Sequence, residues 1–229
     1  MEVLHNGYTL EISPGAFPLS TDSIALADFV RLPKNATVLD LGSGCGTLGL
    51  LLCARDANCS VTGIELTESA HKTALCNIEN NKLTDRLTSI CTDLRNFSTI
   101  LQPGSFSCCI SNPPYFTDGP QSKTVPLARR EDACSMAELM AAAGWVLKYG
   151  GDFFLVHRPE RLAELIVCAA KHNLEAKRLR LLRHRKGGEV SLVLVQLRKG
   201  GKPGLVWEEE SLYDEKDMPT EYFKKLYHL

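Results

Sequence analysis

Val38-Leu39-Asp40-Leu41-Gly42-Ser43-Gly44-Cys45-Gly46 decides how the rest of the chain is read. The apolar run Thr37 to Leu41 has the length and composition of a buried strand, and a glycine-rich turn ends it. Thr47 to Arg55 then carries apolar residues at helical spacing. Strand, glycine turn and helix in that order are the unit of a parallel sheet whose ligand sits at the strand ends. Glycine lets the backbone take positive φ and approach a ligand closely. The helix N-terminus behind the turn favours negative charge. Gly44-x-Gly46-x-x-Gly49 also matches the dinucleotide fingerprint, which many α/β proteins share and some use only structurally. Asp40 narrows the choice. An acid just before the turn suits a ligand with an ammonium group and repels a pyrophosphate.

Outward from this unit, apolar strands alternate with helical patterns. Strands are expected at Ser60 to Glu65, Leu87 to Thr92, Phe106 to Ser111 and Asp152 to His157. Helices are expected from Ser69 to about Asn81, from Ser135 to Lys148 before the Gly150-Gly151 stop, and from Pro159 to His172. Glu175 to Leu182 and Glu189 to Leu197, joined at Gly187-Gly188, predict an antiparallel hairpin at the sheet edge. The expected fold is α/β: a mostly parallel sheet with helices on both faces, forming one domain over residues 1–229. Residues 1–22 make a short lead-in, and residues 205–229 a polar, acidic tail whose order the sequence leaves open.

A chain of 229 residues, 44% hydrophobic and 23% charged, has the composition of a soluble globular domain. No apolar run approaches the ~18 residues of a transmembrane helix. Met1 to Phe17 lacks the basic and apolar regions of a secretory signal, so the cytoplasm is the expected location. Nine irregularly spaced cysteines without a Cys-x-x-Cys pair predict free thiols, with neither a disulfide framework nor a metal site. The net charge of −1 hides a segregation. Lys177, Arg178, Arg180, Arg183, Arg185 and Lys186 form a basic run, and Arg198, Lys199 and Lys202 a second. Glu208, Glu209, Glu210, Asp214, Glu215 and Asp217 gather in the tail. This pattern predicts one face of local positive potential.

Glu65 closes the second strand, where a carboxylate can accept from both hydroxyls of a ribose. Asp93 follows the third and can accept an adenine amino hydrogen. With Asp40, three acids at successive strand ends predict S-adenosylmethionine as cofactor, held by Asp40, Gly42, Gly44, Gly46, Glu65 and Asp93. Thr21 and Asp22 either begin a helix or close one side of the cofactor cleft.

Asn112-Pro113-Pro114-Tyr115 follows the fourth strand. Two prolines fix two φ angles and remove two donors, leaving the Asn112 and Pro113 carbonyls to accept. The Asn112 side-chain oxygen and the Pro113 carbonyl can together bind both hydrogens of a planar amino group. That arrangement localises the nitrogen lone pair and supports the charge developing on it. Tyr115 offers a stacking face, and Phe116 widens it, for a base taken out of its stack. Taken alone, the tetrapeptide also suits a rigid turn.

Asp40 to Gly46, Gly63-Ile64-Glu65 and Asn112 to Tyr115 resemble class I methyltransferases of the amino-methylating type. The chain is most similar to bacterial tRNA adenine-N6 methyltransferases, which modify the adenine beside the anticodon of a valine tRNA. Phe17 to Asp22, Ala128 to Glu131, Val156 to Arg161 and Arg198 to Gly204 carry the resemblance further, from about residue 5 to about 215. It implies a seven-stranded sheet with an antiparallel last strand, S-adenosylmethionine at Asp40, Glu65 and Asp93, and catalysis at Asn112 to Tyr115. RNA is the implied partner, most simply tRNA, with Arg129, Arg158, Arg183, Arg185 and Lys186 as candidate contacts. Arg129 and the His157-Arg158 pair, read as backbone or base contacts, equally suit a helix start and a strand end, and the basic hairpin equally suits a solvated edge strand.

Three rivals share parts of this pattern. Protein glutamine methyltransferases use the same tetrapeptide, but carry a helical domain for which the residues before Thr37 leave no room. DNA adenine methyltransferases need a target-recognition segment, and only Phe116 to Ser135 is available as one. A catalytically silent RNA-binding module would leave Asp40, Glu65 and Asn112 without a role.

Overall fold

The computed structural model describes residues 1–4, 6–113 and 134–229. In chain order its elements begin with β1 (Glu2–Val3), β2 (Thr9–Leu10), α1 (Thr21–Phe29), β3 (Thr37–Leu41), α2 (Thr47–Arg55), β4 (Ser60–Glu65), α3 (Glu68–Asn80) and β5 (Leu87–Cys91). There follow α4 (Phe97–Ile100), β6 (Phe106–Ser111), α5 (Met136–Val146), β7 (Leu147–His157) and α6 (Leu162–Lys171). The chain ends with β8 (Leu174–Arg185), β9 (Val190–Lys199), β10 (Val206–Tyr213) and α7 (Glu221–Tyr227).

Eight strands form one sheet in the order β10-β8-β9-β7-β6-β3-β4-β5. Strands β3 to β7 run parallel, and β9 lies antiparallel between β7 and β8. Side chains alternate between the two faces, as the period-two geometry of a strand requires. Val38 enters a core with α1, α2, α3 and α7, whereas Leu39 and Leu41 enter the opposite core with α5 and α6. Phe153 and Phe154 divide in the same way on β7. A sheet covered on both faces explains why its strands read as near-continuous apolar runs.

Two expectations are corrected. The sheet has eight strands rather than seven, and the β8–β9 hairpin is not its edge, because β10 pairs in parallel with β8 from Val206↔Arg178 to Tyr213↔Arg185. The tail is likewise built into the fold: β10 takes the edge, and α7 places Tyr222 and Leu226 in the α1 core.

The predicted charge segregation also cancels in space. Arg180 bonds Glu208 at 2.8 Å and Asp28 at 2.9 Å. Arg183 lies 3.4 Å from Glu209, and Lys186 3.5 Å from Glu215, while Arg185 pairs with Asp217. Arg178 turns inward, donating to the Phe29 carbonyl at the C-terminal end of α1, where a cation is favoured. The acidic tail lies on the basic strand.

Thr9 and Glu11 are pinned by Asn77 of α3 and by Asn81, its C-cap one helical turn on. Asn81 donates to the Thr9 carbonyl and accepts from its N–H, both at 2.7 Å. Asn77 does the same for Glu11 at 2.9 and 2.8 Å. Each side-chain amide supplies a donor and an acceptor, as a neighbouring strand would.

Candidate active site

The carboxyl ends of β3, β4, β6 and β7 converge on a cavity of about 350 Å³. Gly42 and Gly44 line it after β3, Glu65 to Thr67 after β4, Asn112 and Pro113 after β6, and His157 at the end of β7. Leu41, Ile64, Leu94, Met136 and Leu139 make much of the wall apolar. Ser13 to Phe17 close one side, so the lead-in contributes directly to the site.

The turn after β3 is held from β4. Gly42 and Ser43 donate to the Ile64 carbonyl at 3.0 and 2.9 Å, and Gly44 donates to Glu65 Oε2 at 2.8 Å. The other Glu65 oxygen accepts from Thr67 at 2.8 Å. A carboxylate has about four acceptor sites, so these two bonds leave capacity for ligand hydroxyls. Gly42, Gly44 and Gly46 have φ of 77°, 55° and 83°, and Gly46 leads into α2. Gly63 allows a close approach instead: a Cβ there would lie 2.5 Å from Ser43 Oγ.

Asp40 is 1% exposed, and among the described residues neither carboxylate oxygen has a hydrogen-bond partner, nor does the Ser43 hydroxyl. Burial, aided by repulsion from Glu65, pushes the Asp40 carboxyl up to about 8. Neither Asp40 nor Gly46 lines the cavity itself; the orphaned carboxylate lies directly behind Leu41 and Gly42, which do, and offers acceptors that a cationic ligand would complete.

Asn112 and Pro113 stand at the mouth of β6, whose end is tied to β3 by Ser111 Oγ donating to the Leu41 carbonyl at 2.8 Å. The Asn112 amide nitrogen donates to Ser23 Oγ of α1 at 3.1 Å. His157 is buried, its Nδ1 accepts from the Arg158 N–H at 2.8 Å, and burial lowers its proton affinity. The resulting neutral ring carries its proton on Nε2.

Other expected site residues lie differently. Asp93 is not part of the cavity wall, although Thr92 and Leu94 on either side are. Its carboxylate instead meets the Arg95 guanidinium at 2.5–2.9 Å. Thr21 and Asp22 begin α1 without lining the cavity, and the Thr21 hydroxyl pairs with Tyr227 at 2.8 Å because α7 packs there. Arg158 donates to the Ser191 carbonyl at 3.0 Å. Arg183, Arg185 and Lys186 lie on or next to β8, facing tail acids. Pro114, Tyr115, Phe116 and Arg129 lie outside the described residues.

Ser13 to Ala16 and Ser23 carry no role in the sequence reading, and His157, expected with Arg158 as an RNA contact, is instead buried in the cavity wall. The signal for Ser23 was present but ambiguous, since Ser20-Thr21-Asp22-Ser23 reads first as a helix cap; Ser20 is that cap. Among the described residues, no group of three or more His, Cys, Asp or Glu side chains could hold a metal ion. No helix among them is long and apolar enough to cross a membrane.

A family model described as methyltransferase small domain matches residues 18–176. The tRNA1(Val) (adenine(37)-N6)-methyltransferase of Photobacterium profundum is 30% identical over 183 residues, spanning 78% of this chain and 76% of that protein. The Aeromonas hydrophila protein of the same name is 32% identical over 190 residues, spanning 81% and 78%. Among solved structures, a predicted O-methyltransferase from Agrobacterium tumefaciens aligns with a TM-score of 0.76 at 21% identity, over 91% of this chain and 96% of that one. A geranyl diphosphate C-methyltransferase from Streptomyces coelicolor, solved with S-adenosyl-L-homocysteine, gives 0.59 at 13% identity over 77% of each chain. At these identities the two structures speak for the fold alone. The chain belongs to the methyltransferase small domain family, in the branch of the bacterial adenine-N6 methyltransferases, which take their methyl group from S-adenosylmethionine.

Proposed function

We propose that this enzyme methylates the N6 amino group of an adenine in RNA, and that the RNA is a tRNA carrying its target beside the anticodon. The observation behind the chemistry is that Asn112 and Pro113 line the same cavity as the Glu65-braced glycine turn. The names of the relatives support the choice of RNA and of adenine. Bound S-adenosylmethionine supplies an electrophilic methyl group. Asp40 would meet its ammonium end, Glu65 its ribose hydroxyls, and Gly42 to Gly46 would let the backbone approach it closely. Asp93 takes part only if it releases Arg95.

At the target, the Asn112 side-chain oxygen and the Pro113 carbonyl accept the two amino hydrogens. This draws the lone pair out of the ring and aims it at the cofactor end of the cavity. Both acceptors are neutral, and no strong base is required, because the methylated nitrogen sheds its proton readily. Tyr115 would stack on the base, worth ~1–3 kcal/mol. Arg183, Arg185 and Lys186 would reach phosphates only by exchanging their tail acids for them. A tRNA substrate fits a chain working in the cytoplasm as one domain.

Incubation with labelled S-adenosylmethionine and separate pools of tRNA, rRNA, DNA and protein tests this reading. Label in tRNA, recovered as N6-methyladenosine, is expected; label in protein alone would overturn it. Asn112→Ala should abolish transfer while leaving cofactor affinity within about twofold, and retained turnover would remove the catalytic role assigned to it.

A further inference from the structure

The Asn112 amide needs a defined orientation, because its two branches have opposite chemistry. The oxygen accepts from an amino group, whereas the nitrogen would set donor against donor. Asn112 stands at the end of β6, and backbone rigidity alone does not fix the torsion of a terminal amide, which is broad. We infer that Ser23 is the positioning residue for the catalytic amide: its hydroxyl holds the Asn112 nitrogen on α1 and so aims the oxygen at the target amine. This inference rests on the proposed role of Asn112.

Three observations carry it. The contact spans 89 residues of sequence at 3.1 Å, so it is tertiary in origin. Ser23 is only 4% exposed, so little water competes for its hydroxyl. It also stands on a helix clamped at both ends. At the N-terminal end Thr21 pairs with Tyr227 at 2.8 Å. At the C-terminal end Asp28 bonds Lys225 at 2.6 Å and Arg180 at 2.9 Å. Arg178 lies 3.9 Å above the Phe29 ring. A hydroxyl on such a helix is a fixed reference point for a side chain arriving from the sheet. Displacement of a reacting group by about 1 Å costs up to ~100-fold in rate.

The test is single-turnover methylation of tRNA, with cofactor and RNA dissociation constants measured on the same proteins. Ser23→Ala should slow the chemical step about tenfold to 100-fold while both dissociation constants stay within about twofold. Ser23→Thr and Ser23→Val separate hydrogen bond from packing, because they are nearly isosteric and only Thr keeps a hydroxyl. Thr should recover most of the rate, and Val should not. A Ser23→Ala enzyme as fast as wild type, or Thr and Val variants equally slow, would overturn the inference. An active Asn112→Ala enzyme would instead bring down the reading beneath it. Asn112→Ala inactive with Ser23→Ala fully active removes Ser23 alone.

Discussion

Asp40 lies near the end of a buried strand with no partner for either oxygen among the described residues, an arrangement that costs free energy until something cationic arrives. Its carboxyl, pushed up to about 8 by burial and by Glu65, is mostly protonated at pH 7 in the ligand-free protein. A ligand ammonium needs the ionised form, so binding near neutrality should release close to one proton. Affinity should rise by up to about tenfold per pH unit until pH 8 and then level off. Calorimetry in buffers of different ionisation enthalpy reads the proton count directly, and a count near zero would refute the pairing. The stability sign follows from the same shift. A carboxyl raised above its unfolded value supports the fold below about pH 4 and loses that contribution as pH rises to about 8. Asp40→Asn should therefore melt higher than the ligand-free wild type at pH 8, yet bind S-adenosylmethionine far more weakly.

Gly63 shows how one element constrains another. Its position on β4 faces Ser43 in the turn after β3, where an added Cβ would lie 2.5 Å from Oγ and 2.7 Å from Cβ. Ser43 would have to move, and the turn with it. Gly63→Ala should therefore cost about 1–3 kcal/mol of stability and also weaken cofactor binding. Gly49→Ala is the comparison. Its Cβ would meet the end of the Leu87 side chain of β5 at 2.6 Å and not the turn after β3, so stability should fall with little change in affinity. Equal affinity loss in both variants would refute the link between β4 and the turn. These glycines, with Asp40, Glu65 and Asn112, were legible because each is part of a short pattern fixed by a strand end. Ser23 was not, because its role depends on a contact between distant segments, and His157 reads as an RNA contact until its burial in the cavity wall is seen. Ser13 to Ala16 lacked a local signal too: the segment before them is held at Thr9 and Glu11 by the amides of Asn81 and Asn77, more than 60 residues away. The acids of β10 hid a strand for the same reason. A run of Glu reads as tail until Arg180, on a strand nearly 30 residues away, is seen to neutralise it.

At the scale of the molecule, Arg180 joins the most distant parts of the chain. Its side chain is 10% exposed and reaches Asp28 of α1, Glu208 of β10 and the Tyr222 hydroxyl of α7. Burial opposes ionisation of Asp28, but Lys225 and Arg180 outweigh it and hold its carboxyl below the ordinary range. Removing the guanidinium would leave Asp28 with Lys225 at 2.6 Å and Glu208 with the largely exposed Arg31 at 3.8 Å. Arg180→Met keeps the volume and removes the charge, so its cost measures the network. Breaking a buried pair costs ~3–5 kcal/mol, and partial exposure of Glu208 puts this case near the lower end. For a chain of this size that is a fall in melting temperature of roughly 6–12 °C. Arg180→Lys should recover little, because one ammonium cannot fork onto Glu208 while also reaching Asp28 and Tyr222. The pH dependence identifies the cause. A carboxyl held low stabilises the fold above its unfolded value of about 4 and loses that contribution as pH falls through the folded value. Wild type and Arg180→Met should therefore lie furthest apart near pH 7 and converge as pH falls through the lowered value of Asp28. A constant gap across that range would assign the loss to packing and not to the ion pairs that hold the tail on the sheet.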